Sequence, residues 1–209
     1  MHNHLTDHGE RAMKPITAAL PALLAALLLA AGCDEQAPAN AEPQEHEHDH
    51  AASPFDGITE AVAVVHPTEG NDAHGWVRFS ELDDGRVRVT AEIHGLNPGQ
   101  RHGFHAHEFG DCTAPDATSA GGHYNPHGHP HGLPNNGQRH AGDFGNLEAD
   151  DQGVARLELT VDNLTVAGHD APVIGRAVIV HRDEDDGSQP LGDAGPRIGC
   201  GVIGVAQTE

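Results

Sequence analysis

The sequence predicts an all-β fold, an antiparallel barrel or sandwich of eight strands, in one domain that spans residues 54–209. Eight short segments rich in Val, Ile and Thr have alternating faces, and Gly, Asn, Asp or Pro separates them. The 3.6-residue period of an amphipathic helix is almost absent from this region. The chain has 209 residues, enough for one sizeable domain that follows a leader and a linker.

The eight strands are expected in order along the chain. The segments are ITEAVAVVHP from Ile58, HGWVRFSEL from His74, GRVRVTAEIHGL from Gly85, GFHAHEF from Gly103, GDFGNLEAD from Gly142, GVARLELTV from Gly153, GRAVIVHRD from Gly175 and CGVIGVAQ from Cys200. Asp83–Gly85 and Asp150–Gly153 are typical hairpin connections. Residues 111–141, rich in Gly, Pro, His and Asn, form a loop of about thirty residues, a length that usually marks function or disorder. We expect metal to supply the core that this loop lacks.

The first 33 residues are typical of an export leader. A lysine follows Met13, and an apolar run from Ile16 to Gly32 ends at Cys33, as in a lipoprotein signal. A membrane-spanning helix is the alternative, but this run is at the short limit for spanning and contains Pro21. We therefore predict that Cys33 is lipidated and becomes the first mature residue, which makes the protein periplasmic or cell-surface and anchors it to a membrane. The pattern favours Met13 as the start, although Met1 stays open.

Residues 34–53 are predicted to be a flexible linker, because they are rich in Ala, Pro, Glu and His and have no hydrophobic periodicity. Their EHEHDH stretch is typical of a solvated acidic spacer, and weak metal capture by His46, His48 and His50 stays open. If lipidation consumes Cys33, Cys112 and Cys200 form an even pair in an oxidising compartment. We predict one disulfide between them.

The composition excludes nucleic acid as a partner and favours metal binding. The formal net charge of −21 excludes nucleic-acid binding, which needs a footprint of Lys and Arg. The chain contains 19 histidines but only seven Phe, Trp and Tyr residues. Because neutral imidazole is a common ligand for transition metals, the sequence indicates a metalloprotein.

The histidines also have a pattern. His105 and His107 lie two residues apart in a predicted strand, so their side chains share one face. The later loop and strands add His123, His127, His129, His131, His140, Asp143 and His181. Nitrogen donors with one carboxylate suit copper and zinc better than calcium or magnesium, which prefer oxygen.

Five segments resemble the copper-zinc superoxide dismutases in order, spacing and chemistry. They are GFHAHEFGD from Gly103, SAGGHYNP from Ser119, RHAGDFGN from Arg139, IVHRDEDD from Ile179 and GPRIGCGVIGVAQ from Gly195. The resemblance covers roughly residues 57–207 and implies a flattened eight-stranded Greek-key barrel with long metal-binding loops. Cys112 directly follows HEFGD, which is the placement in bacterial, exported members.

The resemblance also implies roles for individual residues. Copper would be held by His105, His107, His123 and His181, and zinc by His123, His131, His140 and Asp143. The His123 imidazolate would bridge both metals. Asp185 matches a carboxylate that orients one histidine of each metal site, and Arg197 matches an arginine that guides the anion. His127 and His129 compete with His131 as zinc ligands, and the spacing from His123 favours His131.

The activity implied by the resemblance is disproportionation of superoxide, the small-molecule substrate, to oxygen and hydrogen peroxide. Copper and zinc are the implied cofactors, and Arg197 and His123 are the implied catalytic residues. A copper or zinc carrier or storage module on the same fold is the alternative. Whether the protein is a homodimer stays open.

Overall fold

The structure is a computed structural model that describes residue 55 and residues 57–208. The predicted signal peptide with Cys33, and the predicted linker with its histidines, lie outside the described residues. Their assignment stays a prediction, as does the domain boundary at residue 54. No helix in the described part of the chain is long and apolar enough to cross a membrane.

Eight β-strands are present, one in each predicted segment. Their bounds are β1 Glu60–Pro67, β2 His74–Glu81, β3 Val87–His94, β4 Arg101–His107, β5 Asp143–Glu148, β6 Ala155–Val161, β7 Ala177–His181 and β8 Arg197–Val205. The one helical element among the described residues is a 3₁₀ turn, Thr118–Ala120, inside the long loop. The all-β prediction is therefore confirmed.

The strands form a nearly closed antiparallel barrel in the order β5-β4-β7-β8-β1-β2-β3-β6. The connections from β3 to β4 and from β6 to β7 join strands that are not neighbours, as a Greek key requires. Between the edge strands β5 and β6, the backbone pairing is the isolated bridge of Ala149, just after β5, with Ala155. The seam of the barrel lies there.

The two predicted tight turns differ in what they connect. Between β2 and β3 the Leu82 N–H donates to the Arg86 carbonyl over 2.8 Å, and the two strands then pair along their whole length, as a hairpin does. Between β5 and β6 the Asp150 N–H donates to the Val154 carbonyl over 2.9 Å. Since these two strands pair at a single bridge, the second turn joins the barrel edges without a hairpin ladder.

The strand alternation of β4 separates the barrel interior from the face that carries His105 and His107. Phe104 points inward and packs against Phe144, with ring centroids 5.5 Å apart, and Phe144 lies 5.9 Å from Phe79. His105 and His107 point to the opposite face, where solvent would contact them on a bare barrel. Both are nonetheless buried, because the long loop after β4 folds back over that face.

The predicted disulfide is present and fastens this loop to the barrel. Cys112 and Cys200 are bridged, with their Cα atoms 5.9 Å apart. Cys200 lies in β8, whereas Cys112 lies at the start of the loop. The loop is also held by the Glu69 N–H, which donates to the Pro115 carbonyl over 2.9 Å.

Candidate metal centre

Two groups of buried side chains share one histidine. In each group, one donor atom per residue lies within 4.8 Å of the others. The first group is His105, His107, His123 and His181, and the second is His123, His131, His140 and Asp143. The first comes from β4, the loop and the end of β7, and the second from the loop and the start of β5.

The first group presents unpaired ring nitrogens. His105 Nδ1, His107 Nε2 and His181 Nε2 are buried and have no hydrogen-bond partner among the described residues. The other ring nitrogens of His107 and His181 donate to the carbonyls of Gly121 and Gly195, each over 3.0 Å. Because a carbonyl only accepts, both rings carry their proton on Nδ1, and Nε2 keeps a lone pair. Three unsatisfied nitrogens side by side fit a bound cation.

Burial keeps these imidazoles neutral. It lowers the pKa of His105, and it lowers that of His107 well below its ordinary value. Burial and the neighbouring His105 lower the pKa of His181 to about 3. Only the neutral ring has a lone pair for a metal, so this pocket is prepared to bind one at neutral pH.

The second group surrounds the Asp143 carboxylate. His123 Nδ1 and His140 Nδ1 lie 3.0 Å and 3.2 Å from Asp143 Oδ1, and His131 Nδ1 lies 3.0 Å from Oδ2. Burial raises the pKa of Asp143, but the hydrogen bonds from the histidines outweigh it and hold that pKa well below its usual range. Three imidazoles and one carboxylate around a point match a closed four-coordinate zinc site.

His123 is the common member. Its Nδ1 faces Asp143 and lies 3.4 Å from His140 Nδ1, which leaves Nε2 for the first group. Its ring centroid lies 4.0 Å from that of His105, and the two ring planes are tilted by 31°. Burial lowers the pKa of His123 to about 4. An imidazole between two cations can lose its second proton and use both nitrogens, so this ring can join two metals.

Asp185 bonds to one histidine of each group, through the Nε2 atom of its ring. Its Oδ2 accepts from His105 Nε2 over 2.8 Å and its Oδ1 accepts from His131 Nε2 over 3.0 Å. Burial lowers the pKa of His131, but Asp143 and Asp185 outweigh it and raise that pKa to about 9. One carboxylate thus orients one histidine of each group.

Gly192 makes room for this contact. Its φ of +75° is in the left-handed region, and a Cβ there would lie 2.0 Å from Asp185 Oδ1 and 2.7 Å from His131 Nε2. Its N–H donates to the Ser188 carbonyl over 2.7 Å. Only glycine fits this backbone position without displacing the carboxylate.

Arg197 lies beside the first group in a pocket of about 230 Å³. The pocket is lined by His107, Gly122, His123, His181, Leu191, Asp193, Ala194, Gly195 and Arg197. The guanidinium donates to the carbonyls of Ala117 and Gly121, each over 2.6 Å. It makes no ion pair with any carboxylate of the described residues, and burial lowers its pKa. Its positive charge is available to an anion in the pocket.

The two rival loop histidines lie outside both groups. His127 Nε2 is 2.9 Å from the exposed Asp170 carboxylate, and His129 Nδ1 donates to the Arg139 carbonyl over 3.3 Å. His131, as its spacing from His123 favoured, is the one that joins Asp143.

Sequence reasoning missed His102. This fully buried residue shares the inward face of β4 with Phe104 and donates from Nδ1 to the His181 carbonyl over 3.0 Å. The two-residue period of the strand places it beside Phe104 rather than beside His105. That signal was available in the sequence.

A nearly closed Greek-key barrel that carries two groups of possible metal ligands joined through one histidine defines a class of protein, the β-barrel proteins with adjoining metal-binding groups. The donor types fit copper and zinc. The family model of copper/zinc superoxide dismutase matches residues 73–203. The chain belongs to this family, which normally binds both metals.

Proposed function

We propose that the chain is a superoxide dismutase that converts two superoxide anions and two protons into oxygen and hydrogen peroxide. The observation that carries the proposal is the position of His123, which belongs to both donor groups and also lines the pocket that contains Arg197. A storage site needs donor atoms alone. A shared imidazole beside an accessible cationic pocket suits turnover of a small anion.

The metals are assigned from the donors. Copper would be held by His105, His107, His123 and His181, and zinc by His123, His131, His140 and Asp143. When bound, copper supplies the one-electron oxidation and reduction of superoxide, and zinc supplies a fixed positive charge on the shared imidazole.

The side chains of the chain supply the remaining steps. Arg197 binds the incoming anion and holds it beside His123, and its two bonds to backbone carbonyls fix the guanidinium in advance. When its Nε2 is not bound to copper, His123 would carry a proton there and deliver it to the reduced anion. Asp185 is a positioning residue, since its carboxylate accepts from His105 Nε2, from His131 Nε2 and from the Gly187 N–H and does not line the pocket.

The proposal is tested by the decay of superoxide with metal-loaded and metal-stripped protein. The loaded protein is expected to accelerate the decay and the stripped protein is not. His123→Ala should abolish the acceleration, whereas His127→Ala, the matched control outside both groups, should keep it. A loaded wild type that binds both metals tightly but leaves the decay unchanged would be a carrier.

Arg197 is tested by a charge series with metal content measured in each variant. Arg197→Ala is expected to lower kcat/KM by about tenfold, and Arg197→Glu by more, because the pocket loses its anchoring cation. Arg88→Ala removes the same charge from the exposed face of β3 and should have little effect. Added salt should slow the wild type more than Arg197→Ala. Equal rates for wild type and Arg197→Glu would remove Arg197 from the mechanism.

We also propose an exported, lipid-anchored location. The support is the apolar run before Cys33 in the sequence. Mass spectrometry of the membrane fraction should find a mature chain that begins at a lipidated Cys33. An unmodified Cys33 in the mature protein would contradict the anchor.

A further inference from the structure

The pocket beside the shared histidine contains a negative charge as well as a positive one. Among its lining residues, Asp193 and Arg197 carry formal charges of opposite sign. Asp193 is exposed, and its carboxylate has no hydrogen bond or ion pair within residues 57–208. The Arg197 guanidinium donates only to the Ala117 and Gly121 carbonyls among the described residues. The two charges therefore act on the pocket separately and do not neutralise each other by direct contact.

The backbone holds Asp193 at this place. Its φ is +49°, in the left-handed region, which Asp and Asn tolerate better than most residues. On one side, the Asp186 N–H donates to the Gly192 carbonyl over 3.0 Å. On the other, the Asp183 N–H donates to the Ala194 carbonyl over 2.9 Å. Bonds on both sides keep the residue at the pocket wall.

We propose that Asp193 is an electrostatic brake on this pocket: its carboxylate repels anions that Arg197 attracts, and so lowers the affinity of the site for small monoanions. The proposal deepens the proposed function, because superoxide is itself a small monoanion. Its meaning for superoxide entry rests on that function. The rest of the domain adds to the same effect. From residue 53 onward, nine arginines face 24 Asp and Glu residues, which leaves a formal charge of −15.

The size of the effect follows from the dimensions of the pocket. A sphere of about 230 Å³ is roughly 8 Å across, which gives the order of the distance between the Asp193 carboxylate and an anion bound in the pocket. At an effective dielectric constant between about 20 and 80, two unit charges at that separation change a binding constant by about twofold to thirtyfold. We expect removal of the Asp193 charge to strengthen anion binding by about fivefold.

Azide, a small monoanion, is the probe. The full chain is loaded with copper and zinc, and azide is titrated while the visible absorption of Cu(II) is followed. Asp193→Asn removes the charge, keeps the shape and tolerates the left-handed backbone. Asp193→Gly removes both the charge and the backbone strain. Asp151→Asn makes the same change in net charge in the turn between β5 and β6, outside the pocket.

Both Asp193 variants are expected to bind azide about fivefold more tightly than the wild type at low salt, with unchanged metal content, and Asp151→Asn is expected to match the wild type. The gain should shrink as salt is added, because ions screen the repulsion. Equal azide affinity in wild type and Asp193→Asn would overturn the proposal. Tighter azide binding by Asp193→Gly alone would assign the effect to backbone strain and would also overturn the proposal. Absence of azide binding in all the proteins would show that the pocket admits no anion, and it would overturn the proposal as well.

Superoxide decay, measured on the same samples, separates this proposal from the proposed function. If azide binds more tightly to Asp193→Asn but no protein accelerates superoxide decay, the proposal for Asp193 is supported and the dismutase assignment fails. If the wild type is an active dismutase but Asp193→Asn binds azide no more tightly than the wild type, only the proposal for Asp193 fails.

Discussion

Removal of the Cys112–Cys200 bridge should destabilise the domain by several kcal/mol. The bridge joins residues 88 positions apart. In the chain-entropy model, a closed loop of that length restricts the unfolded chain enough to stabilise the fold by about 4 to 5 kcal/mol. For a domain of this size, that corresponds to a fall in Tm of roughly 10 to 18 °C.

The folded state should survive this change, so the effect can be measured. Without the bridge, the Phe109 N–H still donates to the Ala120 carbonyl over 3.0 Å, and Ala117, Ala120 and Ile179 still pack together. The double variant Cys112→Ala/Cys200→Ala is compared with its parent by urea unfolding of the metal-free proteins, both in a Cys33→Ser background that lacks the third thiol.

Chemical reduction of the parent is the matched control, because it opens the bridge without changing the sequence. The reduced parent and the double variant should unfold at similar urea concentrations and with a larger m value than the oxidised parent, since an uncrosslinked chain exposes more surface. A loss of less than about 1 kcal/mol with an unchanged m value would refute the view that the bridge acts on the unfolded chain.

The remaining predictions concern the metal centre. Gly192→Ala should weaken zinc binding and destabilise the protein by more than Gly85→Ala, because both glycines have positive φ but only a Cβ at Gly192 meets Asp185. Chelator competition measures the zinc affinity and thermal unfolding measures the stability. Equal effects of the two substitutions would contradict the clash. Asp185→Asn should lower zinc affinity by about 10- to 100-fold, since an amide has one acceptor for two histidine N–H groups, and an unchanged affinity would show that this carboxylate does not orient the ligands. The unfolding free energy of the metal-free protein should fall as the pH drops from about 6.5 towards 4. Burial lowers the pKa of His123 to about 4 and the pKa of His181 to about 3. The unfolded chain therefore binds more protons than the folded chain in this range. Urea unfolding across that range tests this last prediction, and a flat profile would oppose it.

The strands and the family were predictable from sequence because both depend on local patterns. Alternation with a period of two places His105 and His107 on one face and Phe104 on the other, whatever the rest of the chain does. Turn residues then delimit each strand. Five motifs in a fixed order identified the family, and the family model matches residues 73–203.

The spacing from His123 favoured His131 among the loop histidines, but the contacts that hold it in the site depend on the fold. His127, His129 and His131 alternate with other residues in one short stretch and have the same chemistry. Only His131 lies between Asp143 and Asp185, because the loop path is set by contacts with distant segments such as Gln189, whose side-chain oxygen accepts from the His131 N–H over 3.1 Å.

The sequence by itself determined the eight strands, the candidate donors and the family, since neighbouring residues determine strand periodicity and motif spacing. The tertiary structure decided how those donors meet. His105 and Asp185 are 80 positions apart, yet they are bonded because the register of β4 with β7 brings the loop after β7 to His105. Such distances depend on strand register and loop path, which are properties of the whole chain and not of any local pattern.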